Sequence, residues 1–158
     1  MDSIVIALHS LLRWVVLLTG ILAVARGFMG GKGKRWTDAD SRAGMLFITA
    51  LDLQFLLGLL LYVFLSPTIR TAFLNFGNAM KDPMLRFFAV EHVTGMVIAL
   101  ALAHIGRVRT KKAVTDNKKF RAAVIFYTLA MIIILLMVTY IGEAIREAFD
   151  PKRFTYYE

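Results

Sequence analysis

Residues 122–141 read AAVIFYTLAMIIILLMVTYI, twenty residues without a charge. A stretch of that length and character matches the hydrocarbon core of a bilayer, which is roughly 30 Å thick and takes about 20 apolar residues of α-helix to cross. Helix is required there because an unpaired backbone amide in lipid costs several kcal/mol, and a helix pairs its amides within its own segment. Three further segments upstream meet the same standard, at about 4–25, 44–65 and 85–105. Short loops make neighbouring spans antiparallel, so the expected fold is all-α: an integral membrane up-down four-helix bundle, a single membrane domain over 1–158.

Composition agrees with that solvent. Apolar residues make up 58% of the 158-residue chain and mean hydropathy is +0.65, against about 45–50% apolar in soluble domains. The net charge of +8 does not point to nucleic acid, because the basic residues cluster in short segments between apolar runs rather than along one polar face. They orient the chain instead. Arg26, Lys32, Lys34, Arg35 and Arg42 flank the first loop, and Arg107, Arg109, Lys111, Lys112, Lys118, Lys119 and Arg121 the third. The second loop holds Arg70, Lys81 and Arg86, and the tail Arg146, Lys152 and Arg153, a bias of twelve against six. Cytoplasmic loops carry the excess of Lys and Arg, which predicts that both termini lie outside.

Several readings fall away. Ala23-Val24-Ala25 resembles a signal-peptide cleavage site, but the opening residues carry Asp2 rather than basic residues, and Arg13 sits within the apolar run. Gly30-Gly31-Lys32-Gly33-Lys34 lacks the spacing and terminal Ser or Thr of a phosphate loop and reads as a turn. The absence of cysteine excludes disulfides, thiolate metal sites and thiol catalysis. The second loop, 67–83, carries Phe73, Leu74 and Phe76, as expected of a short helix at the outer interface. Pro151 is expected to stop a fourth helix that runs on through Glu143, Arg146 and Glu147.

Ionisable and strongly polar groups inside membrane helices are costly and usually functional. Here they are His9, Arg13, Asp52, Gln54, Glu91, His92 and His104. His9 and His92 enter from the same side and lie roughly 8–10 Å below the boundary at 1.5 Å per residue. On spans one and three, diagonal in an up-down bundle, they can point at each other across the axis. A b-type haem takes one imidazole on each face of its iron. The same histidines also suit hydrogen-bonded packing between helices, a non-haem metal or a proton path. Gly95, three residues after His92, leaves room for a flat macrocycle. Arg13 is expected to pair either with Glu91 or with a haem propionate, and outward-pointing propionates would meet Arg86. His104 reads as an interfacial histidine near Arg107, and Asp52 and Gln54 as mid-span groups bonding to neighbouring helices or to a quinone. Tyr127 and the other aromatic residues carry no assigned chemistry.

Leu8-His9-Ser10 with Arg13-Trp14, Gln54 with Leu57-Gly58-Leu59 and Tyr62, Ser66-Pro67, Met80-Lys81, Arg86-Phe87, Ala89-Val90-Glu91-His92, Ile105-Gly106 and Ile125-Phe126-Tyr127 together resemble a group of small four-span bacterial membrane proteins, frequent in Bacteroidetes, named cytochrome b family proteins. The resemblance runs along most of the chain. Val93 stands where members of the group commonly carry proline, which bears on the local helix geometry at His92. The resemblance implies a haem b protein ligated by His9 and His92. The resulting expectation is electron transfer, as a subunit of a respiratory or photosynthetic complex or as a homo-oligomer, rather than an independent enzyme. The alternative is an accessory membrane subunit without a redox centre.

Overall fold

The computed structural model describes residues 2–30 and 33–148, the side chains of Asp2 and 141–148 aside. The described residues form seven α-helices and two π-helical turns. Helix α1 (Asp2–Phe28) leads through a turn at Gly33, whose φ of 84° suits glycine, to α2 (Asp38–Leu60), which ends in a π turn, Leu61–Leu65. Three short helices follow: α3 (Pro67–Leu74), α4 (Phe76–Ala79) and α5 (Pro83–Arg86). A second π turn, Phe87–Glu91, opens into α6 (His92–Lys112), and α7 (Asp116–Ala148) completes the order.

Four of these stretches are long and apolar enough to cross a membrane: Ser3–Phe28, Asp38–Leu65, Pro83–Lys112 and Asp116–Tyr140. The expected all-α bundle is therefore observed, with helices reaching several residues beyond the apolar segments read from the sequence. Their packing runs α1 against α2, α2 against α6, α6 against α7 and α7 back against α1, which sets α1 and α6 on one diagonal. The fourth long helix continues to Ala148; the expected stop at Pro151 lies outside the described residues.

Local chemistry starts the short elements. Ser66 accepts from the Ile69 amide at 3.3 Å ahead of Pro67, and Asp82 from the Leu85 amide at 2.9 Å ahead of Pro83. In each case a polar N-cap precedes a proline whose missing N–H costs nothing in the first turn. Thr37 donates from its amide and hydroxyl to Asp40 at 2.8 and 2.7 Å, closing the start of α2. The segment 67–86 thus folds as short helices around Ile69, Ala72 and Ala79 and leaves Phe73, Leu74 and Phe76 exposed, as an interfacial element would.

The main core fills the middle of the bundle and the end that carries the basic loops. Val16, Phe47, Leu51, Ala99, Ala103, Ala123, Tyr127 and Ala130 are almost wholly enclosed. Tyr127 is the largest of them, edge-on to Phe47 at 5.9 Å. It fits because Gly44 and Gly106 lack side chains: a Cβ on Gly44 would stand 2.6 Å from the Tyr127 hydroxyl, and one on Gly106 2.9 Å from its ring. Helix–helix packing in lipid gains nothing from apolarity alone, so close approach over small residues supplies the attraction. Ties at this end add to it: Arg26 Nε lies 2.9 Å from the buried Asp40, and Arg107 donates to Ser41 at 3.0 and 3.2 Å.

Candidate functional site

Toward the opposite end the interior turns polar. Helix α1 brings His9 and Arg13, one turn apart; α2 brings Gln54; and the π turn ahead of α6 delivers His92. Gln54 is only 4% exposed, and its amide Nε2 donates to His9 Nε2 across 3.2 Å. The His9 ring comes that close because Gly58 is one turn along α2: a Cβ there would sit 3.1 Å from His9 Cε1. His92 packs at 5.6 Å from the ring of buried Phe87, which in turn stacks on Tyr140 at 4.7 Å. His9 and Arg13 both lie within electrostatic range of His92. His9, Arg13, Gln54 and His92 thus come from three helices to one region of the interior.

Four atoms of this cluster are buried without a hydrogen-bond partner: His9 Nδ1, Arg13 Nε, Gln54 Oε1 and His92 Nδ1. Each such atom costs about 1–3 kcal/mol against its hydrated state. Native proteins leave few of them, and a concentration at one level marks a place built for something besides packing. The donor set fits a haem on chemistry. Two neutral-capable imidazoles from opposed helices can supply axial bonds, and a guanidinium can face a carboxylate. Gln54 lies on His9, and Met137 covers Gly95.

The structure rearranges three of the expected pairings. Glu91 is bound by Arg86, whose Nε donates to it at 2.7 Å, and not by Arg13. Arg86 also donates to the Met80 carbonyl at 3.4 Å. Gly95 is not open space; a Cβ there would meet Met137 Sδ at 2.7 Å, so Met137 already fills the gap that the missing side chain leaves. His104 is not held by Arg107 but lies 2.8 Å from Asp52, on the outside of the bundle and apart from the histidine cluster. Of the expected site residues, His9, Arg13 and His92 come together, Gly95 borders them through Met137, and Arg86 stands at the helix end, tied to Glu91.

The sequence reading missed Gly58 and Phe87 as neighbours of the histidines and Met137 as the neighbour of Gly95. Only Gly58 left a trace in it, a lone glycine four residues after Gln54 on one helical face. It also missed the π turn. Among the described residues, no group of three or more His, Asp and Glu side chains gathers as a metal site. No family model, curated protein or solved structure matches this chain. The fold and the site define it as a multi-pass membrane protein, helical in its described residues, with a half-buried His-Arg-His group around the buried Gln54 near one end.

Proposed function

We propose that this chain is a b-type cytochrome of the bacterial cytoplasmic membrane, oriented with both termini outside, that carries one haem between His9 and His92. The observation that carries this reading is the pair of imidazoles from diagonal helices, each with a buried unpartnered ring nitrogen, beside Arg13, whose buried Nε likewise lacks a partner. When bound, the haem supplies reversible one-electron chemistry. The chain's own residues would do the rest. His9 and His92 would hold the iron, and Arg13 would offset the negative charge of a propionate. Phe87 and the apolar helices would keep water from the site, which tunes the potential. Arg86, held by Glu91 at the helix end, is the second cation a propionate could reach.

The protein would act as an electron-transfer subunit of a larger respiratory or photosynthetic complex, exchanging with a carrier or a quinone at the outer boundary. A second reading, an accessory subunit without a redox centre, rests on the His9–Gln54 contact, which also suits plain helix-to-helix hydrogen bonding. A visible spectrum of the detergent-purified protein, expressed with ample haem supply, separates the two. A reduced b-type α band is expected; a protein that carries no haem under those conditions sinks the proposal and leaves the accessory role.

A further inference from the structure

Asp52 lies near the centre of its span, about 20 Å from either end at 1.5 Å per residue, and its Oδ1 is 2.8 Å from His104 Nε2. Both side chains face away from the bundle, 42% and 50% exposed. The other ion pairs between helices or beside them, Arg26–Asp40 and Arg86–Glu91, sit near helix ends, where headgroups and water are in reach. Asp52–His104 lies farther in, with His104 about 12 Å from the Lys112 end of its helix at 1.5 Å per residue. An aspartate at the middle of a membrane helix costs about 2.5–3.5 kcal/mol, and such groups almost always face protein or a wet cavity. The flank of α2 and α6 that bears this pair is therefore poorly suited to hydrocarbon.

The residues around the pair are spaced for a helical partner. On α6 the exposed positions Thr94, Val97, Ala101, His104 and Val108 follow at intervals of three, four, three and four. On α2, Met45, Thr49, Asp52 and Leu56 follow at four, three and four, all exposed except half-buried Asp52. That is the alternation of a seam along which helices interlock, and a polar residue at the middle of such a seam fixes register and partner number. Thr49 and Ala101, each one turn before a member of the pair, are small enough to permit close approach. Among the described residues, Asp52 Oδ2 and His104 Nδ1 have no partner.

We infer that this flank is an interface between two copies of the chain. Each His104 is bridged through Nε2 to Asp52 of its own chain and through Nδ1 to the free Asp52 oxygen of the other, with two protons in each imidazole–carboxylate pair to make the two hydrogen bonds. A two-fold axis makes the exchange reciprocal, which is the self-complementarity that a symmetric dimer requires. The four groups together are neutral, so no net charge is left in the hydrocarbon layer.

The absence of cysteine makes the test direct. Thr49→Cys and Ala101→Cys, each in the full-length chain in native membranes, should give a disulfide-linked species of twice the chain mass on mild oxidation. Leu18→Cys, on the 67%-exposed outer face of α1, should stay at background. Adding Asp52→Leu with His104→Leu should lower the Ala101→Cys product by about fivefold to tenfold, since intramembrane polar contacts are individually modest. Equal linkage at all three positions, linkage to a different protein, or an unchanged yield in the double replacement would overturn the inference. If the double replacement fails to accumulate, the contrast between Ala101→Cys and Leu18→Cys still decides. Haem content does not enter any of these readouts, so the outcome is independent of the cytochrome reading.

Discussion

The two halves of the bundle are filled on opposite principles. At the basic end, Tyr127, Phe47, Val16 and a set of alanines and glycines interlock, with the Arg26–Asp40 and Arg107–Ser41 ties beside them. At the other end, the same four-helix frame encloses two imidazoles, a guanidinium and an amide, and four of their nitrogen and oxygen atoms go unpaired. Shape complementarity holds one half together, whereas the other half leaves polar atoms of its interior without partners. The two ends thus differ in what fills them, and substitutions there should fail in different ways.

The largest contrast is between histidines. His9→Ala or His92→Ala should remove most bound haem, or leave a five-coordinate iron that takes up external ligands, while His104→Ala, on the bundle's outer flank, should keep the low-spin spectrum. Equal haem retention in all three variants would erase the functional distinction between the interior cluster and the flank.

A smaller effect should separate the halves by packing. Gly44→Ala drives a methyl group to 2.6 Å from the Tyr127 hydroxyl. Tyr127 is pinned between Phe47 and Gly106 and cannot swing aside, so the expected loss is about 1–3 kcal/mol of stability. Gly77→Ala, where nothing lies within 4 Å, should be close to neutral. Unfolding of the purified variants in mixed detergent measures both. A tolerated Gly44→Ala would show that the basic half is looser than its geometry implies.

The smallest expected change is at Glu91. Its pair with Arg86 is more than a third exposed on both sides, and solvent screens such a pair so that it contributes little. Glu91→Gln should therefore shift stability only slightly and leave any haem spectrum unchanged, because Arg13 does not depend on Glu91. A clear spectral shift would move Glu91 into the interior cluster and blur the boundary between site and helix end.

Legibility in the sequence followed the kind of information each feature needs. The spans are visible because hydropathy is a property of composition along the chain, and residues 122–141 need no partner to be read. The depth of His9 and His92 follows from counting residues. Rotation about the helix axis does not: every span is apolar on nearly all faces, so no polar stripe marks which way Asp52 or His104 points. That is why His104 was expected beside Arg107 on its own helix, and why the Gln54–His9 contact was out of reach. The Arg86–Glu91 pair was missed for a sharper reason. Residues five apart do not meet on an α-helix, where neighbours are three or four apart, and nothing in the residue pattern announces the π turn that brings them together.

That turn sets a phase. Its wider hydrogen bonds, such as the His92 amide to the Phe87 carbonyl, accommodate one residue more than the α-helix they interrupt, and one residue is about 100° of rotation. Tyr62 locks the turn by donating to the Ala89 carbonyl at 2.7 Å. Below it, Gly106 is fixed against Tyr127 and His104 against Asp52; above it, Arg86 and the short helices are fixed to the cap of the bundle. Deleting a single residue, Val90 for example, would leave both anchorages chemically intact yet mutually misaligned by about a quarter turn. Either His92 would swing out of the interior or the cap would be wrenched from its seat. The extra residue works as a rotary offset that lets two independently docked parts share one continuous helix.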